Sequence, residues 1–297
     1  MSARSAVLAL PAGPGVYRFR GGGRVLYLGR AADLRRRVTS YWGDLRDRPH
    51  LRRMVPRIEA IEAVPCDSEH EAAWLERNLL ERAKPRWNRA IGGQEVPVRI
   101  HLDARAGRLD VVHEHDAGNG ALFGPYLGGL KVRLAVGGLR RAVPIGYAGE
   151  RLGGFDRDLA RVRGVTGTRS SMVDTLVAVL TGDASAATLV RAELVARRDA
   201  AATALAFELA ARIQSELTAL DWVLAEQKVT RPSTDDAEVH GWHDGLLVSF
   251  TIEGGRMRTW RQRHCHDPSE LLERTPEPWR DFAARAASLA TALLAPS

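Results

Sequence analysis

Tyr17, Tyr27, Arg37, Tyr41 and Glu76 are the residues whose types and spacing could do chemistry in this chain. Tyr17 lies in a strand-like run at 16–19 and Tyr27 in another at 25–28, with Gly21, Gly22 and Gly23 between them. Glycine supplies the positive φ of a tight reversal, so the two runs form a hairpin that sets both phenol hydroxyls at its edge. Arg37 lies on the turn between Leu34 and Tyr41, where its stem can pack while its guanidinium points toward the sheet. Glu76 borders an apolar stripe of Ala72, Leu75 and Leu79, an uncomfortable place for an unpaired carboxylate. Two readings follow: Glu76 pairs with a nearby arginine and the tyrosines are half-buried core, or the group faces a substrate.

These side chains need elements to carry them. From Asp33 the spacing of Leu34, Val38 and Tyr41 is helical, with Arg35, Arg36 and Arg37 over the rest of the surface. A second short helix near 50–55 leads through Pro56 to an extended run at 58–64, the third strand. Ser68 with Glu71 three residues on is a capping box, and the helix it starts ends where Lys84 meets Pro85. Residues 1–93 thus read as a compact α+β unit, a three-stranded antiparallel sheet with flanking helices. A mixed segment at 94–150 contains extended runs at 96–102 and 109–113 and a turn at FGPYLGG, 123–129. Residues 151–171 read as a linker and 172–230 as helical, with 186–227 either one long arm or a helical hairpin. Residues 231–297 hold a β-hairpin (248–252 and 257–260) and a tail helix at 276–294.

The chain has 297 residues, 43 Lys plus Arg against 36 Asp plus Glu, a formal charge of +7 and 45% apolar residues, the composition of a globular protein. The charge is uneven. The first 60 residues hold 13 basic and 4 acidic side chains, which predicts a basic N-terminal face and a polyanionic partner, nucleic acid first. Two cysteines, Cys66 and Cys265, are too few for a disulfide scaffold and fit a reducing compartment, so a cytoplasmic location is expected. No 18-residue apolar run offers a membrane span, and the short apolar run near the start leads straight into the first strand rather than forming a signal region.

The set GVY (15–17), YLG (27–29), Arg37, Tyr41, Glu76 and Asn88 resembles the GIY-YIG nuclease family. PGVYRFRGGGRVLYLGRAADLRRRVTSYW and EAAWLERNLLERAKPRWN resemble its version at the amino end of UvrC, an excinuclease subunit. The resemblance implies a metal-dependent DNA phosphodiesterase. In it Glu76 holds Mg2+ or Mn2+, Tyr27 is the general base with Tyr17 as its partner, Arg37 neutralises the phosphate, Tyr41 positions water or phosphate, and Asn88 braces the site. A phenol of ordinary pKa near 10 is a poor base at neutral pH, so Tyr27 needs a cation nearby to lower it. Arg30, Arg35 and Arg36 are the expected DNA contacts. Arg30 stands where the family usually has Lys and Trp87 where it usually has Tyr; charge and aromatic bulk are kept.

The likeness continues at 122–145, but the cysteine-rich stretch that holds an iron–sulfur cluster in many relatives has no cysteine here, so no cluster is expected. Phe207, Glu208, Ala210, Ala211 and Arg212 resemble the UVR motif, a helical hairpin that docks on a UvrB-type helicase subunit, with 220–229 as its second half. Residues 235–260 resemble only the opening hairpin of the second, RNase H-like nuclease of UvrC, with its first acid near Glu238. One active site is therefore expected, the layout of the short UvrC homologues of the Cho type, which incise on the 3′ side of a lesion. A stand-alone structure-specific nuclease and a non-catalytic DNA adaptor are the alternatives. His240, His243, His264, Cys265 and His266 could also converge on zinc, although their spacings match no strong motif.

Overall fold

The computed structural model describes residues 4–46, 49–88, 96–113, 120–148, 158, 167–231 and 235–294. The expected linker at 151–171 lies mostly outside them. Along the chain come β1 (Gly15–Gly21), β2 (Arg24–Ala31), α1 (Leu34–Thr39), β3 (Ala60–Pro65) and α2 (Glu69–Arg82). Next are β4 (Val98–Asp103), β5 (Arg108–His113), β6 (Ala121–Tyr126), α3 (Gly129–Ala142), α4 (Arg169–Leu180), α5 (Ala184–Thr203) and α6 (Phe207–Leu224). Last are β7 (Ala237–His243), β8 (Leu246–Glu253), β9 (Arg256–His264), α7 (Ser269–Glu273) and α8 (Glu277–Leu294). The fold is α+β, with three antiparallel three-stranded sheets in the orders β2-β1-β3, β5-β4-β6 and β7-β8-β9. No single helix among the described residues is long and apolar enough to cross a membrane.

Two compact units are formed, one by 1–94 with 226–297 and the other by 95–225. In the first, β1 is the central strand. Tyr17 faces Gly29 on β2 and Ala63 on β3, while Phe19 faces Tyr27 and Ile61, so Tyr17, Phe19 and Tyr27 share one face of the sheet. That face packs on Leu34, Val38 and Tyr41, on Leu10, Leu51 and Met54, and on Leu289 and Leu293 of α8. The opposite face carries Arg18, whose buried guanidinium pairs with Glu62, donates to the Trp260 carbonyl oxygen at 2.8 Å and stacks 3.9 Å over the Trp260 ring. The 231–297 segment, read from sequence as a separate hairpin, is here a full three-stranded sheet plus helix packed with the N-terminal sheet. The first strand escaped notice because its Glu238, His240 and His243 break the apolar alternation, although Val239 and Gly241 are buried. Gly241 is required, since a Cβ there would lie 2.0 Å from the Ala283 carbonyl oxygen of α8.

Helix ends are set locally. Asp33 caps α1 by accepting from Arg36 N at 2.8 Å, and Ser68 caps α2 by accepting from Glu71 N at 2.9 Å. The capping box is realised only in part. The Glu71 carboxylate, fully buried, accepts from Asp67 N at 2.8 Å and from Lys228 N at 2.9 Å instead of from the cap residue. Asn78 donates to the Val229 carbonyl oxygen and to Thr230, so one buried face of α2 holds the strand-like segment that leads to β7.

In the second unit β4 lies between β5 and β6, and α3 packs Val132, Ala135, Val136 and Leu139 into a core shared with α4, α5 and α6. The stretch at 186–227 resolves into a helical hairpin. The chain breaks at Leu205, whose φ is 60°, and Arg191 pairs with Asp221 while Arg198 bonds Gln214, so α5 and α6 run in opposite directions. This corrects one assignment: Phe207–Leu224 is a single helix, and its hairpin partner is the preceding α5 rather than 220–229. No glycine or proline interrupts 207–224, and the helix runs through it unbroken.

Candidate active site

The sheet face described above gathers the tyrosines. Tyr17 and Tyr41 are 0% and 1% exposed, and their hydroxyls are 2.6 Å apart. Tyr27 lies beside the Tyr17–Tyr41 pair, so the three phenols form one cluster. Ring centroids are 6.2 Å apart for Tyr17 and Tyr27 and 6.0 Å for Tyr27 and Tyr41; Phe19, 4.8 Å from Tyr41 edge-on, fills the space below. Tyr17 is thus no edge hydroxyl but a buried one. Tyr27, half-buried, is the phenol of the three that reaches solvent.

Gly29 makes this packing possible. A Cβ there would lie 2.8 Å from both the Tyr17 hydroxyl and the Tyr27 ring. Asn88 fixes the same strand from its free edge: its Oδ1 accepts from Leu28 N at 3.0 Å and its Nδ2 donates to Leu28 O at 2.7 Å. Trp87 N bonds Leu26 O at 3.1 Å. Residues 87 and 88 therefore pair with β2 as a short strand would, and Asn88 acts on the backbone next to Tyr27 rather than on a reacting group.

Arg37 closes the cluster of phenols, its Nε donating to the Tyr17 hydroxyl at 3.4 Å. Burial works against its charge, but the oxygens of Tyr17, Tyr41 and Tyr27 outweigh that and hold its pKa above the ordinary value. Glu76 reaches the border of the site from α2, its side chain 18% exposed, and pairs with Arg30 at 3.4 Å. The ion pair between Glu76 and an arginine is therefore present, and the arginine is one expected to contact DNA. Arg35 donates from Nε to the Leu10 carbonyl oxygen at 2.7 Å, and Arg36 is exposed on α1; neither is among the contacts of the phenol cluster.

Desolvation raises the pKa of all three phenols, most directly at Tyr17. At Tyr27 the neighbouring Tyr41 and the Glu76 charge raise it further, and Arg37 only partly offsets this. The protein's own cation, Arg37, is thus not enough to bring Tyr27 below the ordinary value. Tyr27 keeps its proton at neutral pH.

Among the described residues no group of three or more His, Cys, Asp or Glu gathers to hold a metal, the C-terminal histidines included. His240 instead bonds Ser249 at 2.9 Å, and His243 lies 3.4 Å from Asp244. Glu76 is a different kind of site. It is a single hard carboxylate, already balanced by a half-exposed guanidinium, beside phenol oxygens and open on one side. That donor set suits Mg2+, which takes one or two carboxylates and completes its shell with water and substrate phosphate.

Of the functional positions, Phe19 is not singled out by the sequence reading, and Gly29 enters it only as the last residue of the YLG motif, without a packing role. The signal for Phe19 was its i, i+2 alternation with Tyr17 on β1. For Gly29 it was its register opposite Tyr17, which appears only once the hairpin pairing is known.

Residues 13–89 match the family described as the UvrC-like GIY-YIG domain. UvrABC system protein C of Trichlorobacter lovleyi is 34% identical over 148 residues, 49% of this chain and 24% of that protein. Its counterpart in Natronomonas pharaonis is 36% identical over 156 residues, 52% of this chain and 27% of that protein. The aligned part of the chain spans about a quarter of the length of these curated relatives. The solved N-terminal endonuclease domain of UvrC from Thermotoga maritima, bound to magnesium, is 31% identical, covering 29% of this chain and 94% of that one with a TM-score of 0.27. The match to the UvrC-like GIY-YIG domain spans residues 13–89, and the tyrosines, Arg37 and Glu76 lie within it.

Proposed function

We propose that the chain is a divalent-metal-dependent DNA endonuclease that cuts one phosphodiester bond near a lesion, on its 3′ side, in nucleotide excision repair with a UvrB-like partner. The observation that carries this is the convergence of Tyr27, Arg37 and Glu76 beside a buried pair of phenols, within a segment matching a UvrC-like nuclease domain. Glu76 holds the metal, which when bound polarises the phosphate and stabilises the leaving 3′ oxygen. Arg37, kept charged by the phenols, balances the charge that grows on the phosphate oxygens. Tyr27 orients the attacking water through its hydroxyl. Tyr17 and Tyr41 are positioning residues, since they are too buried to meet substrate and act by fixing Tyr27 and Arg37.

Partner docking is supported by the tip of the α5–α6 hairpin. Phe207, 65% exposed, stands there with exposed Leu205, Glu208, Ala211 and Arg212, an apolar side chain flanked by charges. In this arrangement the nuclease supplies chemistry and the partner supplies lesion selectivity. The test is incision of a lesion-containing duplex with Mg2+, with and without a UvrB protein. Strong UvrB dependence, lost on Phe207→Ser, supports the repair reading. Equal incision without UvrB overturns it in favour of a stand-alone, structure-specific nuclease.

A further inference from the structure

The second unit carries a concavity of about 380 Å³ lined by Gly137, Arg140, Arg141, Pro144 and Arg197. Among the described residues, every ionisable side chain on that wall is an arginine. Their carboxylate partners, Asp110 for Arg140, Glu216 for Arg141 and Glu193 for Arg197, do not line it. Glu216 is 1% exposed and holds Arg141 from below in a bidentate pair, at 2.7 Å from Nε and 2.9 Å from Nη2. A guanidinium has five N–H donors, so Arg141 is fixed in place with donors to spare. Asp110 and Glu193 are exposed or half-exposed partners, and such pairs are weak enough to exchange for a stronger anion.

A small anion would account for three arginines around one hollow, but the charge continues. Arg140 also lines a neighbouring concavity of about 650 Å³ with Arg108, Arg133, His101, Asp103 and Asp110. Arg133 is exposed and has no ion-pair partner among the described residues. Arg133 and Arg140 are seven residues apart on α3, hence on one face and about 10 Å apart along its axis. Each strand of a duplex carries one charge per about 3.4 Å of its axis, so two arginines that far apart reach different phosphates rather than sharing one. A helix face with arginines at that spacing, flanked by arginines from β5 and α5, fits a nucleic-acid backbone better than a single phosphate.

We propose that Arg133, Arg140 and Arg197 form a second DNA-backbone contact, in the 95–225 unit and outside the nuclease site. It rests on the reading that DNA is the substrate, and it contacts phosphates without reading sequence. It also revises the charge argument, since the 101–297 stretch is close to neutral in total and still concentrates arginine on one face.

The test is fluorescence anisotropy of the full chain on an undamaged duplex in EDTA, over a series of salt concentrations. Arg140→Ala with Arg197→Ala is the main variant; Arg141 is left intact because its loss would strand the buried Glu216. Each lost phosphate contact forfeits up to about eightfold in affinity at about 0.1 M salt. The double variant should therefore bind about tenfold or more weakly, with a salt slope shallower by about two. Arg140→Lys with Arg197→Lys, which keeps the charge, should retain most of that slope. Unfolding curves matching the wild type show that the fold is kept. With Mg2+ present, the alanine variant should raise KM and leave kcat unchanged. Unchanged affinity and slope overturn the proposal. So does protection of the wild type by inorganic pyrophosphate, lost in the variant, with DNA binding unaffected, which would mark a small-anion pocket. Failure of the nuclease reading would look different: no cleavage by the wild type, whatever the binding curves show.

Discussion

Asn88 offers a sharp test of how the site is held. Its side chain makes two hydrogen bonds to one residue, Nδ2 to Leu28 O at 2.7 Å and Leu28 N to Oδ1 at 3.0 Å, on the free edge of β2. At about 0.5–1.5 kcal/mol net for each bond, Asn88→Ala should cost about 1–3 kcal/mol of stability. Asn88→Asp separates this from mere loss of volume. The nearly isosteric carboxylate still accepts from Leu28 N, but its second oxygen faces the Leu28 carbonyl oxygen with no proton between them. The Asp variant should therefore be no more stable than the Ala variant at pH 7. Its carboxyl pKa in the folded protein is raised above the unfolded value, near about 3.9, because only the protonated acid can donate to Leu28 O. The Asp variant's deficit relative to wild type should accordingly be full above the raised pKa and shrink as pH falls through it. Urea unfolding at pH 7 and at pH 4 gives both quantities, and incision at saturating Mg2+ and DNA gives a third, a fall in kcat with KM little changed. An Asp variant as stable as wild type at pH 7 would refute the clamp.

Other outcomes follow from the same structure. Gly29→Ala forces a methyl to within 2.8 Å of Tyr17 and Tyr27, so thermal unfolding should show a loss of about 1–3 kcal/mol and incision should fall with it; a neutral effect on both would mean the phenols are not packed as described. Arg18→Met breaks a buried pair and leaves Glu62 with only the longer pair to Arg20 at 3.7 Å, for up to about 3–5 kcal/mol. Adding Glu62→Leu should recover most of that loss in a double-mutant cycle, and no recovery would place the cost elsewhere. Burial alone would raise the Asp67 and Glu81 carboxyls, but Arg285 and Lys228 at the first, and Arg258 and Arg77 at the second, outweigh it and hold both below the ordinary range. Carboxyls with depressed pKa stabilise the fold above the unfolded value and lose that contribution as pH falls through the folded one. The urea midpoint should thus drop progressively below about pH 4, and Arg285→Gln should flatten the drop; a midpoint flat through that range contradicts it.

How much of this was legible in the sequence depended on range. The hairpin of β1 and β2, the caps Asp33 and Ser68, and the amphipathic α2 were readable because each is set by residues within a few positions. The co-location of Tyr17, Tyr27, Arg37 and Glu76 came from the motif and its family likeness, since periodicity alone allowed the tyrosines to be ordinary core. What stayed hidden is long-range. Trp260 lies far along the chain from Arg18, and nothing near either residue signals their contact. Lys228, Val229 and Thr230 take up the buried polar groups of α2, so the end of a stretch read as helical is an extended docking segment. Ser68 and Glu71 looked like a closed local box, but half of it is spent on that segment. The hairpin partner of α6 was misplaced because the break at Leu205 needs a left-handed residue, and the sequence there offers no glycine to mark it.

The central claim is that Glu76 serves the chemistry of this face. It is tested most directly by Mg2+-dependent cleavage of a labelled duplex by wild type and Glu76→Gln, both shown to be folded. Glutamine keeps the size of the side chain and removes the charge that pairs with Arg30 and suits a cation. The account predicts cleavage that requires the metal and falls by at least about a hundredfold in the variant. Equal cleavage by the two proteins would contradict it.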